Sequence, residues 1–367
     1  MTVVSENSAL PGTVTFKVLL DVGTRNETNE TSGALLNIKN SYLKTVLNTN
    51  ETVNYGMVQM SGGRSNMKYN QETTLFSASC LSHDGVDIFG MIADCALEPR
   101  SVVAANVGIQ KSKHSHSLEK IHGSGIEFND TLFRTAYGLK GLGMPLLGLE
   151  SNVDYLNAVR IQQFQMENIA PERIFIGGAG VQNHEEFVEL VQDKLKYINK
   201  LGGKKTKAVQ PSEYIGGTHI ATTSASDANV ALVYEAPSWK DKDAITMKVA
   251  AALLGSYSSA NSETGISPSS RLYRNIMSSK AFVTGGNIIN YTFSDSGLFG
   301  LRLTGSASHA AEIYEQLQRE LNGLADNITD EELEGARSLM MVNILSDINK
   351  PSHRLSESLR NLRVGIC

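Results

Sequence analysis

The sequence is poor in the residues that several classes of functional site require. Its three cysteines, Cys80, Cys95 and Cys367, stand far apart and form no C-x-x-C pair. This spacing argues against a disulfide framework and a thiolate zinc site, and it favours a reducing compartment. The 33 basic and 38 acidic residues leave a formal net charge of −5, too little positive charge for a nucleic-acid partner. No apolar run reaches the about 20 residues that cross a bilayer.

The common catalytic motifs are also missing. Neither H-x-x-E-H, H-E-x-x-H nor G-x-S-x-G occurs, so the sequence carries no zinc-peptidase pattern and no serine-hydrolase elbow. His114, His116 and His122 lie close together, but their spacing and the lack of an acidic partner favour a solvated segment over a metal site. The glycines of Gly177–Gly180 lack the nucleotide-binding spacings and predict a tight turn after a strand. We therefore expect neither a metal nor a cofactor.

Hydrophobic periodicity is what the sequence does contain. Apolar and polar residues alternate from Thr13 to Leu20, which predicts a half-buried strand. Asn183 with Glu186, and Thr329 with Glu332, have the spacing of helix N-terminal caps ahead of apolar periodic stretches. Strands and helices are grouped with hairpin-like spacing, so the pattern favours α+β layers over a doubly wound sheet.

The length of 367 residues predicts two domains. Residues 201–217 contain glycines, a proline and several lysines with little apolar periodicity, and we interpret them as the interdomain linker. We therefore predict an N-terminal domain at 1–200 and a C-terminal domain at 218–367. Each is expected to be a mixed, largely antiparallel sheet packed with helices, the second domain being shortened and incomplete at its end.

A glycine- and serine-rich loop between Leu254 and Leu272 is the most distinctive connection in the chain. Such a loop offers backbone donors to an extended peptide, as in recognition by strand addition. An ordinary solvent-exposed connection has the same composition, so both interpretations stay open. The candidate peptide-binding residues are Gly255, Ser256, Ser258, Ser259 and Gly265.

Four stretches of the sequence have the character of a known family. They are Leu19–Gly33, Gly62–Leu81, Gly141–Gly148, and Arg271–Met277 with Tyr291–Leu301. These stretches resemble the pitrilysin/insulinase superfamily, and specifically its non-catalytic branch, and the run SDSGLFG at 294–300 is the strongest single match. That branch includes the second core protein of respiratory complex III and the alpha subunit of the mitochondrial processing peptidase.

The resemblance implies an inactive peptidase-like domain. Active relatives carry H-x-x-E-H on the helix after the first glycine, where two histidines hold zinc and the glutamate activates water. Leu36, Lys39 and Asn40 stand at those three positions in this sequence. A charged lysine cannot ligate zinc, so the resemblance implies a subunit that is not itself an enzyme.

Two roles remain open under the resemblance. The first is a structural core subunit 2 of complex III, on the matrix side of the mitochondrial inner membrane and held there by other complex III subunits. The second is an alpha-type subunit in the mitochondrial matrix that holds presequence peptides for a catalytic zinc partner. The implied heterodimer partner is a first core protein or a processing peptidase beta subunit bearing H-x-x-E-H. The presence of only Gly255 and Gly265 in the loop favours the structural role.

Overall fold

The computed structural model divides the chain into two compact units. The first comprises Met1–His219 and Asn349–Cys367, and the second comprises Ile220–Ile348. The structure describes residues 1–7, 12–43, 45–46, 49–98, 125–152, 155–195, 210–222, 226–255, 257–258 and 270–365.

The first unit is built on a five-stranded sheet in the order β1-β7-β2-β6-β5. Strand β2 lies at its centre and pairs antiparallel with both β6 and β7, while β1 pairs parallel with β7. The strands are β1 (Thr2–Glu6), β2 (Thr13–Leu20), β5 (Arg64–Tyr69), β6 (Thr74–Leu81) and β7 (Ile174–Ala179), with β3 (Thr45–Val46) and β4 (Thr49–Asn50) forming a separate short pair. The helices are α1 (Ala34–Ser41), α2 (Glu51–Met60), α3 (Gly85–Leu97), α4 (Gly125–Tyr137), α5 (Ala158–Asn168), α6 (His184–Leu195) and α10 (Pro351–Val364).

Apolar side chains of β2 fill the main core of the first unit. Phe16 lies with its ring centroid 5.3 Å from that of Phe89 on α3 and 5.6 Å from that of Phe187 on α6. All three side chains are almost fully buried. This aromatic cluster joins the sheet to both helices, and it follows from the period of two that the sequence shows at Thr13–Leu20.

Helix α10 covers the opposite face of the same sheet. Its buried residues Leu355 and Leu359 pack with Leu19 and Phe175. The approach is close, since a Cβ built on Gly177 would lie 2.6 Å from Leu355 Cδ1. Gly177 therefore lies inside β7 and makes room for α10, and the turn predicted at these glycines begins only at Gly180, where φ is +85°.

The predicted domain boundaries need two corrections. Residues 349–367 belong to the first unit rather than to the C-terminal domain, because the apolar face of α10 is buried against the sheet of that unit. The described end of the predicted linker, residues 210–217, also packs on the first unit. There Ile215 N donates to Ala136 O at 2.8 Å, and the Tyr214 ring lies edge-on to Tyr137.

The second unit contains a four-stranded sheet in the order β8-β11-β10-β9. The strands are β8 (Asp227–Ala236), β9 (Tyr257–Ser258), β10 (Val283–Thr292) and β11 (Gly297–Ser306), and the helices are α7 (Asp243–Leu254), α8 (Ala310–Asp326) and α9 (Asp330–Ile348). Leu301 and Leu303 of β11 pack with Ile313 and Leu317 of α8 to form its core.

The sequence-predicted elements agree with the described structure at several points. Strand β2 has the predicted bounds, and both predicted caps form: Glu185 N donates to Asn183 Oδ1 at 3.0 Å, and Glu332 N donates to Thr329 Oγ1 at 3.3 Å. The α+β fold class with largely antiparallel sheets is confirmed.

Candidate functional site

Helix α1 presents the three side chains that the resemblance singles out. It begins after Gly33, whose φ of 92° is in the left-handed region that favours glycine. Residues 36, 39 and 40 are separated by three and four positions, so Leu36, Lys39 and Asn40 share one face of the helix. Lys39 is exposed, while Leu36 and Asn40 are half-buried. This face therefore combines an aliphatic, a cationic and an amide group.

A buried carboxylate holds the start of α1. Glu27 Oε2 accepts a hydrogen bond from Gly33 N, and Glu27 Oε1 accepts one from Leu35 N, both at 2.9 Å. These N–H groups have no partner within the helix, so the carboxylate satisfies donors that would otherwise be buried and unpaired. Burial raises the pKa of Glu27 to about 8, although the hydrogen bonds from the helix N-terminus lower it.

A second carboxylate and a tyrosine lie near Glu27. Asp130 Oδ1 accepts from Leu146 N at 2.9 Å and Asp130 Oδ2 accepts from Leu147 N at 3.1 Å, while Tyr69 donates its hydroxyl to Leu146 O at 2.8 Å. Burial raises the pKa of Asp130 and that of Tyr69, and the charges of Glu27 and Asp130 raise the Tyr69 value further. Both carboxyl groups thus hold backbone segments in place by accepting hydrogen bonds from their N–H groups.

Lys39 lies over the aromatic ring of Tyr69. Its Nζ is 5.6 Å from the ring centroid, within the range of a cation–π contact. A lysine head group has three donors and no acceptor. At the position where active relatives of the resembled family carry a water-activating glutamate, this chain has a cation held near an aromatic face.

The other predicted site residues lie in two places. Gly255 ends α7 with φ of 74°, and a Cβ built there would lie 2.3 Å from Ser270 Cβ, so this glycine is required for packing. Ser258 belongs to β9 and pairs with Gly285 of β10. Ser256, Ser259 and Gly265 of the loop lie outside the described residues. His114, His116 and His122, for which the sequence favours a solvated segment over a metal site, also lie outside them. The loop remains a predicted peptide-binding segment.

Two further features are absent from the described residues. No group of three or more histidine, cysteine, aspartate or glutamate side chains is placed to hold a metal ion there. Within the same ranges, no helix combines the length and the apolar character needed to span a membrane.

Sequence comparison places the chain among known proteins. Residues 155–340, just over half of the chain, match the family described as Peptidase M16 inactive domain. The chain belongs to this family. The predicted resemblance to the non-catalytic branch of the pitrilysin/insulinase superfamily is thereby confirmed.

Individual relatives of this M16 chain are mitochondrial proteins. The beta subunit of the mitochondrial-processing peptidase of Blastocladiella emersonii is 26% identical over 310 residues, which cover 82% of this chain and 64% of the relative. The alpha subunit from Solanum tuberosum is 24% identical over 341 residues, covering 88% of this chain and 64% of the relative. The chain thus spans less than two thirds of the length of these curated relatives.

A solved structure shares the fold of this M16 chain. A chain in the structure of Complex III2 from Candida albicans with Inz-5 bound superposes with a TM-score of 0.80, covering 99% of this chain and 83% of that one. The identity is 16%, so this likeness supports the fold alone.

The buried state of Glu27 leads to a pH-dependent prediction. Its pKa is about 8 in the folded chain against an ordinary value of 4.5, so between about pH 5 and 8 the folded state keeps a proton that the unfolded chain releases. The proton bound to Glu27 therefore stabilises the folded state fully below about pH 4.5, and this stabilisation is lost as the pH rises to 8. Over that window the free energy of unfolding falls by up to about 1.4 kcal/mol per pH unit. The glutamine side chain of the E27Q variant does not titrate between pH 5 and 8. The free energy of unfolding of E27Q should therefore fall less steeply with pH over this range than that of the parent chain.

Urea denaturation of both proteins at pH 5, 6, 7 and 8 measures this difference. The E334Q variant is the matched control, because the Glu334 side chain is 71% exposed and its replacement should leave the slope of the parent chain unchanged. Parallel profiles for the parent chain and E27Q would contradict the assignment of a raised pKa to Glu27.

Proposed function

We propose that the chain is a non-catalytic core subunit 2 of mitochondrial respiratory complex III, with a structural role on the matrix side. The observation that carries this proposal is the set of side chains on one face of α1, Leu36, Lys39 and Asn40. An aliphatic group offers no lone pair, and a lysine head group offers donors only, so this face lacks both the ligands and the base of a zinc peptidase. The family description as an inactive domain supports the same proposal.

The assignment to complex III draws on two further observations. The fold resembles that of a chain in Complex III2, and the curated relatives are mitochondrial proteins. In this proposal the chain is peripheral to the inner membrane and held there by a first core protein and other complex III subunits. We expect it to bury well over the about 1,600 Å² of a standard interface with its partner.

A second candidate function is that of an alpha subunit of the mitochondrial processing peptidase. The similarity to the alpha subunit of Solanum tuberosum, over 88% of this chain, favours it. In that role the loop after Gly255 would hold presequence peptides in the mitochondrial matrix for a catalytic zinc beta subunit. In both candidate functions α1 is not catalytic. The two functions differ in the partner, which is a first core protein in complex III or a zinc-bearing beta subunit in the processing peptidase.

Isolation of the tagged native chain in mild detergent tests the proposal. We expect the cytochrome-bearing subunits of complex III to co-purify in stoichiometric amounts and to be missing from untagged cells. Recovery of a single H-x-x-E-H-bearing partner, together with presequence cleavage by the purified pair, would replace the first candidate by the second.

Elemental analysis of the separated chain tests the feature that both candidates share. We expect no bound zinc after the chain is dissociated from its partners at neutral pH. One tightly bound zinc per chain would contradict the non-catalytic assignment in either complex.

A further inference from the structure

Helices α1 and α5 of the first unit bury three polar side chains deeply. Asn37 and Ser41 on α1 are 4% and 5% exposed, and Gln165 on α5 is 3% exposed. Three of their atoms, Asn37 Oδ1, Ser41 Oγ and Gln165 Oε1, are closed off from bulk solvent and have no hydrogen-bond partner among the described residues. Such an atom has lost its hydrogen bonds to water and gained none in return, so each of the three requires a physical explanation.

Two of these atoms lie on one side of α1. Asn37 and Ser41 are four residues apart and therefore share a face of the helix. Asn37 Nδ2 donates to Gly33 O at 2.9 Å, which fixes the amide and leaves its Oδ1 directed elsewhere. Lys39 lies about 200° around the helix from both residues, so the contact of Lys39 with Tyr69 is on the opposite side.

The third atom lies at a matching height on α5. Helices α1 and α5 contact each other and begin close together, because a Cβ built on Gly33 would lie 3.2 Å from Leu156 Cδ1. Gly33 and Asn157 are the N-caps of the two helices. Ser41 follows the first cap by two turns and Gln165 follows the second by two turns, so both lie about 12 Å along their helices.

No partner on the outside of the molecule can supply the missing hydrogen bonds. The three atoms are already closed off from bulk solvent by the chain itself. A polypeptide or ligand that packs on the surface of α1 or α5 would therefore not reach them. Whatever satisfies these atoms must be enclosed between the two helices.

The chemistry of the three atoms suits a water molecule. Asn37 Oδ1 and Gln165 Oε1 are amide oxygens, which only accept hydrogen bonds, whereas the Ser41 hydroxyl can donate one. A water molecule can donate to both amide oxygens and accept from the hydroxyl. Buried waters typically make about three hydrogen bonds of this kind, to polar groups that have no other partner.

A metal cation suits the same atoms less well. All three oxygen atoms are neutral, so a cation between them would be buried without a compensating charge. Calcium and magnesium also prefer about six or more oxygen ligands, several of them carboxylates. Within the described ranges, no group of three or more histidine, cysteine, aspartate or glutamate side chains could hold a metal ion here.

We propose that α1 and α5 enclose a binding site for one water molecule, held by Asn37 Oδ1, Ser41 Oγ and Gln165 Oε1. The water links the two helices where neither side chain reaches the other directly. It thereby fixes the position of α1, the helix that carries Lys39. The site is independent of the function proposed above, because it rests on α1 and α5 alone.

A crystal structure of the full chain at high resolution tests the site directly. We expect one peak of electron density at about 2.6–3.2 Å from each of the three oxygen atoms, the distance of an ordinary hydrogen bond. In crystals of the S41A variant and of the Q165M variant, the peak should be weaker or missing.

Urea denaturation of the same variants at neutral pH tests the energetic role of the water. S41A and Q165M each remove one hydrogen bond to the water and leave its other partners in place. Each variant should raise the equilibrium constant for unfolding about tenfold. The double variant should raise it by less than the product of the two single effects, because both residues hold the same water.

The Q163M variant is the matched control for Q165M. Gln163 lies on the same helix, but it is exposed and its Nε2 donates to Glu167 Oε1 at 2.8 Å. The same substitution there should change the equilibrium constant for unfolding by no more than about twofold.

Four results would overturn the proposal. A map without a peak at the site, or with Ser41 Oγ bonded directly to Gln165 Oε1, would exclude the water. Lower unfolding constants for both S41A and Q165M would show that their polar atoms are unsatisfied in the parent chain. Independent effects of the two substitutions would show that they share no ligand. An unfolding midpoint that changes when potassium chloride replaces sodium chloride at equal concentration, in the parent chain but not in Q165M, would indicate a cation.

Discussion

Replacing Glu72 with alanine is expected to lower the free energy of unfolding by about 3–5 kcal/mol. The Glu72 side chain is 3% exposed and lies between two guanidinium groups. Its Oε1 is 2.5 Å from Arg25 Nη1, and its Oε2 is 2.7 Å from Arg363 Nη2. Both arginine side chains are themselves largely buried, so the substitution leaves two desolvated positive charges close together.

The position of Glu72 in the fold explains why this effect should exceed that of an ordinary ion pair. Arg363 belongs to α10, while Glu72 lies in the turn of the β5–β6 hairpin and Arg25 in the segment after β2. One carboxylate therefore joins three parts of the first unit that are far apart in sequence. Asp21 also contacts Arg363, with its Oδ1 2.5 Å from Nε.

Urea denaturation followed by circular dichroism measures the effect of E72A. The control is E334A, because the Glu334 side chain is 71% exposed and pairs with Arg337 one turn along α9. Exposed pairs of this kind are worth less than about 1 kcal/mol. A loss for E72A no larger than that for E334A would show that water reaches the Glu72 site and screens its charges.

The local elements could be predicted where one stretch of sequence decides them. Strand β2 follows from the alternation of apolar and polar residues, and α6 and α9 begin at caps whose two members are three residues apart. In each case the interacting residues are neighbours in the chain, so the pattern is visible without the fold.

The return of α10 to the first unit could not be predicted in this way. Its apolar residues Leu355 and Leu359 have the spacing of any helix that buries one face. The sheet that covers them is formed by β2 and β7, more than 150 residues earlier in the chain. Gly177 was assigned to a turn for the same reason, because its role is to leave room for a side chain that is distant in sequence.

The candidate site was predicted in part. The positions of Leu36, Lys39 and Asn40 came from the resemblance, and the structure places all three on one face of α1. Glu27 and Asp130 were missed, although a glutamate six residues before a glycine that opens a helix is a visible signal. Burial raises the pKa of both carboxyl groups. That burial depends on segments distant in sequence that pack over the side chains, so the neighbouring residues do not reveal it.

The attachment of α10 leads to the other large prediction. Leu359 is completely buried against the sheet, so L359A should remove its contacts and leave a cavity, lowering the free energy of unfolding by about 2–5 kcal/mol. The matched control is L345A, because Leu345 on α9 is 61% exposed and the same substitution there should change stability by less than about 0.5 kcal/mol.

The polar contacts of α10 are expected to limit how far L359A detaches the helix. Arg354 pairs with Glu6, and Lys17 Nζ donates a hydrogen bond to Ser352 O at 2.6 Å. Because of these contacts, we expect the first turns of α10 to stay packed on the first unit when Leu359 is replaced by alanine. Hydrogen exchange should therefore accelerate most in the last turns of α10 and least near Ser352. Equal losses of stability for L359A and L345A, or acceleration spread evenly over α10, would contradict the docking of this helix on β2 and β7.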